Sequence, residues 1–415
     1  MKTAKKLLLK SILQIKSHFV PGLLPPPARF DNIEVEAFAG GALAAATLSA
    51  DFEIAWAFRG RSEAERTALA VAERRNVPLI VRQLEEQDIP ITWATVGHLF
   101  LERCQRASSG KAHAEMPRPP KNLRWEGDWY RHDPCADRER DPHWYAPDLI
   151  EMIHASKARH EIGSHTFSHI DFSADTSTPE LVRSEIEACR SVMEPLGLPL
   201  RSLVYPFNNM GHHYLDLLGG LGLTAVRHRD RRIKLSYPEA TPHGVYKLYE
   251  TMNFRRGKYY DYIDKARILL EAACERRAAF HIWFHPSDPT EFFEREFCGI
   301  IRHMAELKKE GKLWPVTMGG LAAYCEARRQ TAIDVRHEGK LTSARVRCGY
   351  DAKRYGPTTL TLNLESKIAP KQCECRSAGS SRALAWRHRP AAANHGASSF
   401  LIDVPAEDCE LRISF

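Results

Sequence analysis

The stretch HEIGSHTFSH at residues 160–169 places His165 and His169 four residues apart, just after a short apolar run that closes on a Gly-Ser pair. Residues four apart are neighbours on one helical turn. Two imidazoles so placed can share one divalent metal ion through their free nitrogens. An HxxxH spacing alone is weak, so its meaning depends on what surrounds it. Working outward, short apolar runs alternate with amphipathic helical stretches from about residue 40 to about residue 328. ALAAATLSADFEIAW, IPITWATVG, RHEIGSH, RSLVYPF, LTAVRH, VYKLYE and AFHIWFHP read as strands. Helical patterns run from Arg61 to about Leu84 and through APDLIEMIHAS, TPELVRSEIEACRSVME and YIDKARILLEAACERR. Such alternation predicts an α/β fold, either a barrel or an open parallel sheet. Both architectures gather function at the C-terminal ends of their strands.

The strand ends carry the chemistry. LSADFE closes one strand with Asp51 and Glu53, whose i, i+2 spacing sends both carboxylates to the same side. Two like charges on an apolar strand are costly unless they meet a cation or water. FHIWFHP closes another strand with His285 before Pro286; His281, four residues deeper, reads as a hydrogen-bonded core residue. His160, at the start of its strand, falls outside the site. A carboxylate and two histidines are a metal set that leaves a position open for water. A Zn²⁺-type ion bound there would lower the water's pKa to about 7 and polarise a carbonyl. A second carboxylate can then take a proton and a separate histidine can deliver one. Metal-assisted hydrolysis of an amide or ester suits these parts.

HEIGSHTFSH resembles the HSxxH-type motif of polysaccharide deacetylases with a NodB-homology domain, and DIPITWATVG resembles a strand of that family. LSADFE sits where the family's TFDDG motif would sit, RSLVYPFNNMG resembles its Pro-containing third motif, and FHIWFHP its last catalytic strand. The resemblance runs over roughly residues 42–325. It implies a distorted (β/α) barrel of about seven strands and metal-dependent removal of acyl groups from sugars. Position by position, it implies Asp51 as catalytic base, His285 as acid, and His165 and His169 as metal ligands, with zinc the expected divalent ion. The family's second Asp falls at Phe52, so Glu53 is the candidate for the remaining ligand. The family's third-motif Arg falls at Val204, and Arg201 does not align with it, which leaves the residue orienting Asp51 unassigned. A motif that normally carries Asp and Trp is blurred around YETMNF. These departures mark a divergent branch. The expected substrate is an N-acylated amino-sugar, glycan or glycolipid precursor. The alternatives are a hydrolase of a non-carbohydrate, cyclic amide C–N bond and a catalytically inactive carbohydrate-binding protein.

Three regions lie outside the alternation. Residues 1–40 form a basic N-terminal segment and Pro-rich linker, ahead of a barrel at 41–328. Leu8, Ile12, Ile15 and Phe19 share one helical face, with lysines elsewhere, so residues 5–20 are a candidate for peripheral contact with an anionic membrane. The apolar core of a secretory signal is not evident there, which gives a cytoplasmic expectation, at the inner membrane face. Residues 106–146 are an irregular insert rich in Arg, Asp, Pro and Trp. Trp125, Trp129, Trp144 and Tyr145 make it a candidate for stacking on sugar rings or for a packed lid. From 331 to 415 the period shortens to that of strands between Gly, Pro and Ser turns, predicting a small all-β module. A net charge of +7 on 415 residues, without a dense Lys/Arg array, argues against a nucleic-acid partner. The ten cysteines have no zinc-finger or disulfide-framework spacing and read as free thiols.

Overall fold

The computed structural model describes residues 19–230, 232–254, 262–377, 380–389 and 398–415. The predicted amphipathic face through Leu8, Ile12 and Ile15 lies outside them. The end of that segment is not helical: Phe19–Pro21 is a strand paired with Ile233–Leu235. Among the described residues no helix is long and apolar enough to cross a membrane.

The central strand, β1 (Ala44–Phe52), is buried along its whole length. It alternates all the same. Leu48, Ala50 and Phe52 enter the main apolar core, whereas Ser49 and Asp51 turn to a polar interior where Arg227 meets both. Helix α1 (Glu63–Glu86) follows, started by a reciprocal capping box between Ser62 and Glu65. Then come β2 (Thr92–Thr95), α2 (Pro147–His154), β3 (Glu161–Ser164), α3 (Pro179–Met193), β4 (Ser202–Leu203) and β5 (Ala225–His228). The barrel region continues through β6 (Glu239–Ala240), β7 (Tyr246–Tyr249), β8 (Met252–Asn253), α4 (Tyr262–Arg276), β9 (Ala279–Phe284), α5 (Cys298–Lys309), β10 (Leu313–Pro315) and α6 (Met318–Arg329).

These strands form one ten-stranded sheet in the order β6-β7-β5-β4-β3-β2-β1-β9-β8, with β10 also on β1. Every pairing is parallel except β6 with β7. The run from β7 to β9 supplies the seven parallel strands expected of the distorted barrel, and three short strands extend it. The sheet is strongly curled into a half-barrel. Strands β1 and β5 are four steps apart, which in a flat sheet would be about 19 Å, yet Arg227 of β5 reaches Asp51 of β1 at 2.5 and 2.8 Å.

The C-terminal strands form two five-stranded antiparallel sheets. Val35, Leu362 and Ile402 of one sheet share a core with Val346, Leu411 and Cys375 of the other, and with Tyr324 of α6. One sheet also takes up Arg29–Phe30 and Ile33–Val35, which precede the half-barrel in the chain. All ten cysteines are free.

Candidate active site and metal centre

Asp51 is the penultimate residue of β1, and Glu53 lies just beyond the strand on the same side. Phe52 points the opposite way, fully buried, with its ring edge-on to Trp93 at 6.0 Å. A carboxylate at position 52 would therefore face the apolar core, and Glu53 occupies the place from which a ligand can reach the histidines. Its Oε1 stands 2.8 Å from His165 Nε2 and 3.0 Å from His169 Nε2. On the other side, His285 Nε2 is 3.9 Å from Glu53 Oε2 and 4.0 Å from Asp51 Oδ2. All five residues singled out in the sequence thus meet at one end of the sheet, where an open cleft of about 660 Å³ reaches Asp51, Glu53, His169 and His285. His281 and His160 stay out of it. The first bonds Ser49 Oγ, and the second accepts the N–H of Ile91.

One expectation about local structure fails. His165 and His169 are not on a helical turn. β3 stops at Ser164, and no helix begins until Pro179. The rings converge, with centroids 4.8 Å apart, because Thr166 and His169 adopt left-handed backbone at φ 60° and 56°. Ile54, Phe207 and Asn208, also around the cleft, have φ of 47°, 58° and 54°. Such conformations cost about 1–3 kcal/mol each and persist where the surroundings over-determine them.

Buried polar side chains on the helices do that here. Glu73 of α1 accepts the backbone N–H of Glu53 at 2.8 Å. Burial, and then the charge of Glu53, raise its carboxyl well above the usual range. Asn76, one turn on, donates to the carbonyls of Pro286 and Asp288 and so fixes the loop after His285. Glu185 of α3 accepts both the N–H and the hydroxyl of Ser168, beside His169. None of these three was singled out in the sequence.

The donor set fits a divalent cation. His165 Nδ1 lies 2.8 Å from the Val204 carbonyl and must donate to it. In the neutral ring this leaves Nε2 bare, facing an anionic oxygen, an arrangement that is attractive only with a cation between them. Position 204 thus serves through its backbone rather than through an arginine side chain. His169 is fully enclosed, and burial lowers its pKa to about 4, so it is neutral and able to ligate. Burial works to raise the Glu53 carboxyl, but the imidazoles of His169 and His165 against it hold it well below the usual range. Two histidines and a carboxylate are a three-donor set that could hold a metal ion.

What orients Asp51 is Arg227, which the sequence did not yield. Its guanidinium clasps both carboxylate oxygens, donates to Ser49 Oγ and Asn208 Oδ1, and lies 4.4 Å over Trp283. The available signal was an arginine inside LTAVRH, because a fully buried arginine almost always has an acidic partner. The insert aromatics, in turn, pack instead of lining the cleft. Trp129, Trp144 and Tyr145 are buried. Arg59 lies about 4.5 Å from the rings of Trp56, Trp125 and Trp129 and donates to the carbonyl of Ser168.

The polysaccharide deacetylase family profile matches residues 70–226, a span that contains His165 and His169 and stops one residue short of Arg227. No curated protein gave a significant match to the chain. Among solved structures, a protein from Mycobacterium smegmatis designated a polysaccharide deacetylase aligns at 16% identity and a TM-score of 0.49, covering 76% of this chain and 99% of its own. A mutant of a CE4 family pseudoenzyme with restored enzymatic activity aligns at 12% identity and a TM-score of 0.35, covering 68% of each chain. A protein from Bordetella bronchiseptica designated a polysaccharide deacetylase involved in O-antigen biosynthesis aligns at 11% identity and a TM-score of 0.29, covering 64% and 90%. Residues 70–226 thus match a polysaccharide deacetylase domain.

Proposed function

We propose that the protein is a metal-dependent hydrolase that removes an N-acyl group, acetyl in the first instance, from an amino-sugar of a glycan or glycolipid precursor. The observation that carries this reading is the position of Asp51 and His285, 4.0 Å apart and beside the Glu53–His165–His169 donor set at one open cleft. A divalent ion held by those three residues would supply Lewis acidity toward water and the acyl carbonyl.

The remaining work falls to the chain. Asp51 is the general base. Arg227 occupies one lone-pair site on each oxygen, and a carboxylate has about four, so the fork fixes the group without exhausting it. As water adds to the acyl carbon, Asp51 takes its proton. The C–N bond then breaks while His285, partly exposed in the cleft, hands a proton to the departing amine. The backbone at Tyr205, next to the carbonyl that anchors His165, is our candidate for an N–H toward the developing oxyanion. Glu53, Asp51 and His285 stay aligned because Glu73 and Asn76 of α1 and Arg227 of β5 hold them from two separate elements.

The test is acetate release from acetylated amino-sugar oligomers by the metal-loaded protein. Turnover that stops with chelator and in Asp51→Asn, while glycan binding survives, supports the assignment. Binding with no turnover by metal-loaded protein would refute it in favour of a carbohydrate-binding role. Turnover of cyclic amides alone would move the substrate class.

A further inference from the structure

A second constellation lies away from the cleft, in the insert. His98, in the turn after β2, Cys104, His113 and Asp133 come from four separate stretches, and one ligand atom of each lies within 4.8 Å of the others. His113 Nε2 is 2.9 Å and His98 Nε2 3.3 Å from the same oxygen, Asp133 Oδ2. Cys104 Sγ is 3.5 Å from that oxygen. His98 and Asp133 side chains are completely enclosed, and His113 is 7% exposed.

We infer that these four residues form a structural metal site, of the His₂CysAsp kind that suits Zn²⁺, which fastens the insert to the end of β2. Three observations converge on it. The first concerns aim. His98 Nδ1 faces the Trp144 carbonyl at 3.3 Å and donates to it, which leaves Nε2 bare; that buried nitrogen has no hydrogen-bond partner and points at the cluster. A carbonyl behind the far nitrogen is how ligating histidines are commonly oriented. Asp133 is divided in the same way, its Oδ1 accepting the N–H of Cys135 at 2.8 Å while Oδ2 faces the two imidazoles. The second concerns charge. A thiolate and a carboxylate bring two negative charges, two neutral imidazoles bring none, and a dication closes the balance in a largely buried place. Sulfur, nitrogen and oxygen donors in a set of four suit tetrahedral zinc.

The third concerns need. Between the turn at Gly97–Phe100 and α2 at Pro147 the chain makes no helix or named strand, only the isolated bridges Arg103↔Asp137 and Arg106↔Ala112. It nonetheless buries Trp129, Tyr130, Trp144 and Tyr145. An irregular stretch this long requires some other fastening. Two of its residues at the cluster, His113 and Cys135, have left-handed backbone, φ 44° and 48°. The site is independent of the reading of the cleft, because its ligands share no residue with Glu53, His165 and His169.

The full-length chain, purified after growth with zinc, tests this by metal counting and cobalt exchange. His165→Gln combined with His169→Gln should remove one ion per chain and leave a second. After exchange, that ion should give the near-ultraviolet band of a thiolate-to-cobalt bond. Adding Cys104→Ser to this background should remove both ion and band. Should the triple variant not fold, cysteine alkylation of the double variant gives the same answer. Cys104 should be protected with metal bound and labelled after chelation, as read on its peptide. A double variant without metal, or a bound ion without a thiolate band, would overturn the proposal and leave the cluster as a hydrogen-bonded network.

Discussion

Phe52→Asp is the substitution that would restore the second acid at the place where the resemblance puts it, and the structure predicts that it unfolds the protein rather than improving the site. The ring of Phe52 is fully buried, packed in the main core and edge-on to Trp93. Truncating a buried phenylalanine costs about 3–5 kcal/mol. An unpaired polar group in the same place adds about 2–7 kcal/mol even if the carboxyl takes up a proton to avoid charge. The sum, roughly 5–12 kcal/mol, is comparable to the whole stability of a typical domain, about 5–15 kcal/mol. Phe52→Leu keeps the position apolar and should cost about 1–2 kcal/mol while leaving metal content and turnover in place. Soluble yield, thermal melting and metal content of the two variants side by side decide the matter. A Phe52→Asp protein that melts within about 5 °C of the parent and holds its catalytic-site metal as tightly would refute the reasoning. It would mean that position 52 can turn into the site after all.

Other changes separate the roles of neighbouring residues. Glu53→Gln should weaken metal binding at the cleft by more than the roughly 10–100-fold typical of outer-sphere partners, as measured by competition with a chelating dye; unchanged affinity would remove Glu53 from the ligands. Arg227→Met strips a cation from a buried carboxylate. Its fork holds both oxygens of Asp51, and losing hydrogen bonds to a charged group costs about 1.5–3 kcal/mol, so kcat should fall roughly 10–150-fold with KM little changed. Arg227→Lys should lose less, and an unchanged kcat in both variants would sink the positioning role. Burial lowers the pKa of His160 to about 4, whereas an unfolded histidine protonates near about 6.5. Between those values the unfolded chain binds the extra proton, so stability falls as pH falls, by up to about 1.4 kcal/mol per pH unit. His160→Gln should flatten the urea midpoint against pH in that window, and an unaltered slope would contradict it.

Much of the site was legible because its residues announce themselves locally. Asp51 and Glu53 stand two apart on a strand, so their common side follows from the pleat. His285 stands at the end of an apolar run. His165 and His169 were rightly paired on wrong grounds: the four-residue spacing suggested a helix, whereas left-handed residues in a loop do the work. Arg227 was hidden for a different reason. Its partner is four strands away, and only the curl of the sheet brings them together. The insert cluster has no recognisable spacing, because His98, Cys104, His113 and Asp133 sit on irregular chain with no period to read. The aromatic residues beside it looked suited to sugar stacking, but Trp125 and Trp129 spend their faces on Arg59 and on one another, and Trp144 packs against Trp56.

The strand Ile33–Val35 has a further consequence, for synthesis on the ribosome. It is laid down before the half-barrel, yet its partner is Thr359–Ser366; the side chain of Asn32 bonds the carbonyl of Glu365, 333 residues on. At about 5–20 residues per second, this early segment waits roughly 20 to 60 s for the strand that covers it. During that interval the half-barrel can close around Asp51 and Glu53 while one edge of the nascent chain stays unpaired. Pairing of Cys409–Ser414 with Leu341–Cys348 and Gln372–Ser377 comes later still, because that strand follows both of those partners in the chain.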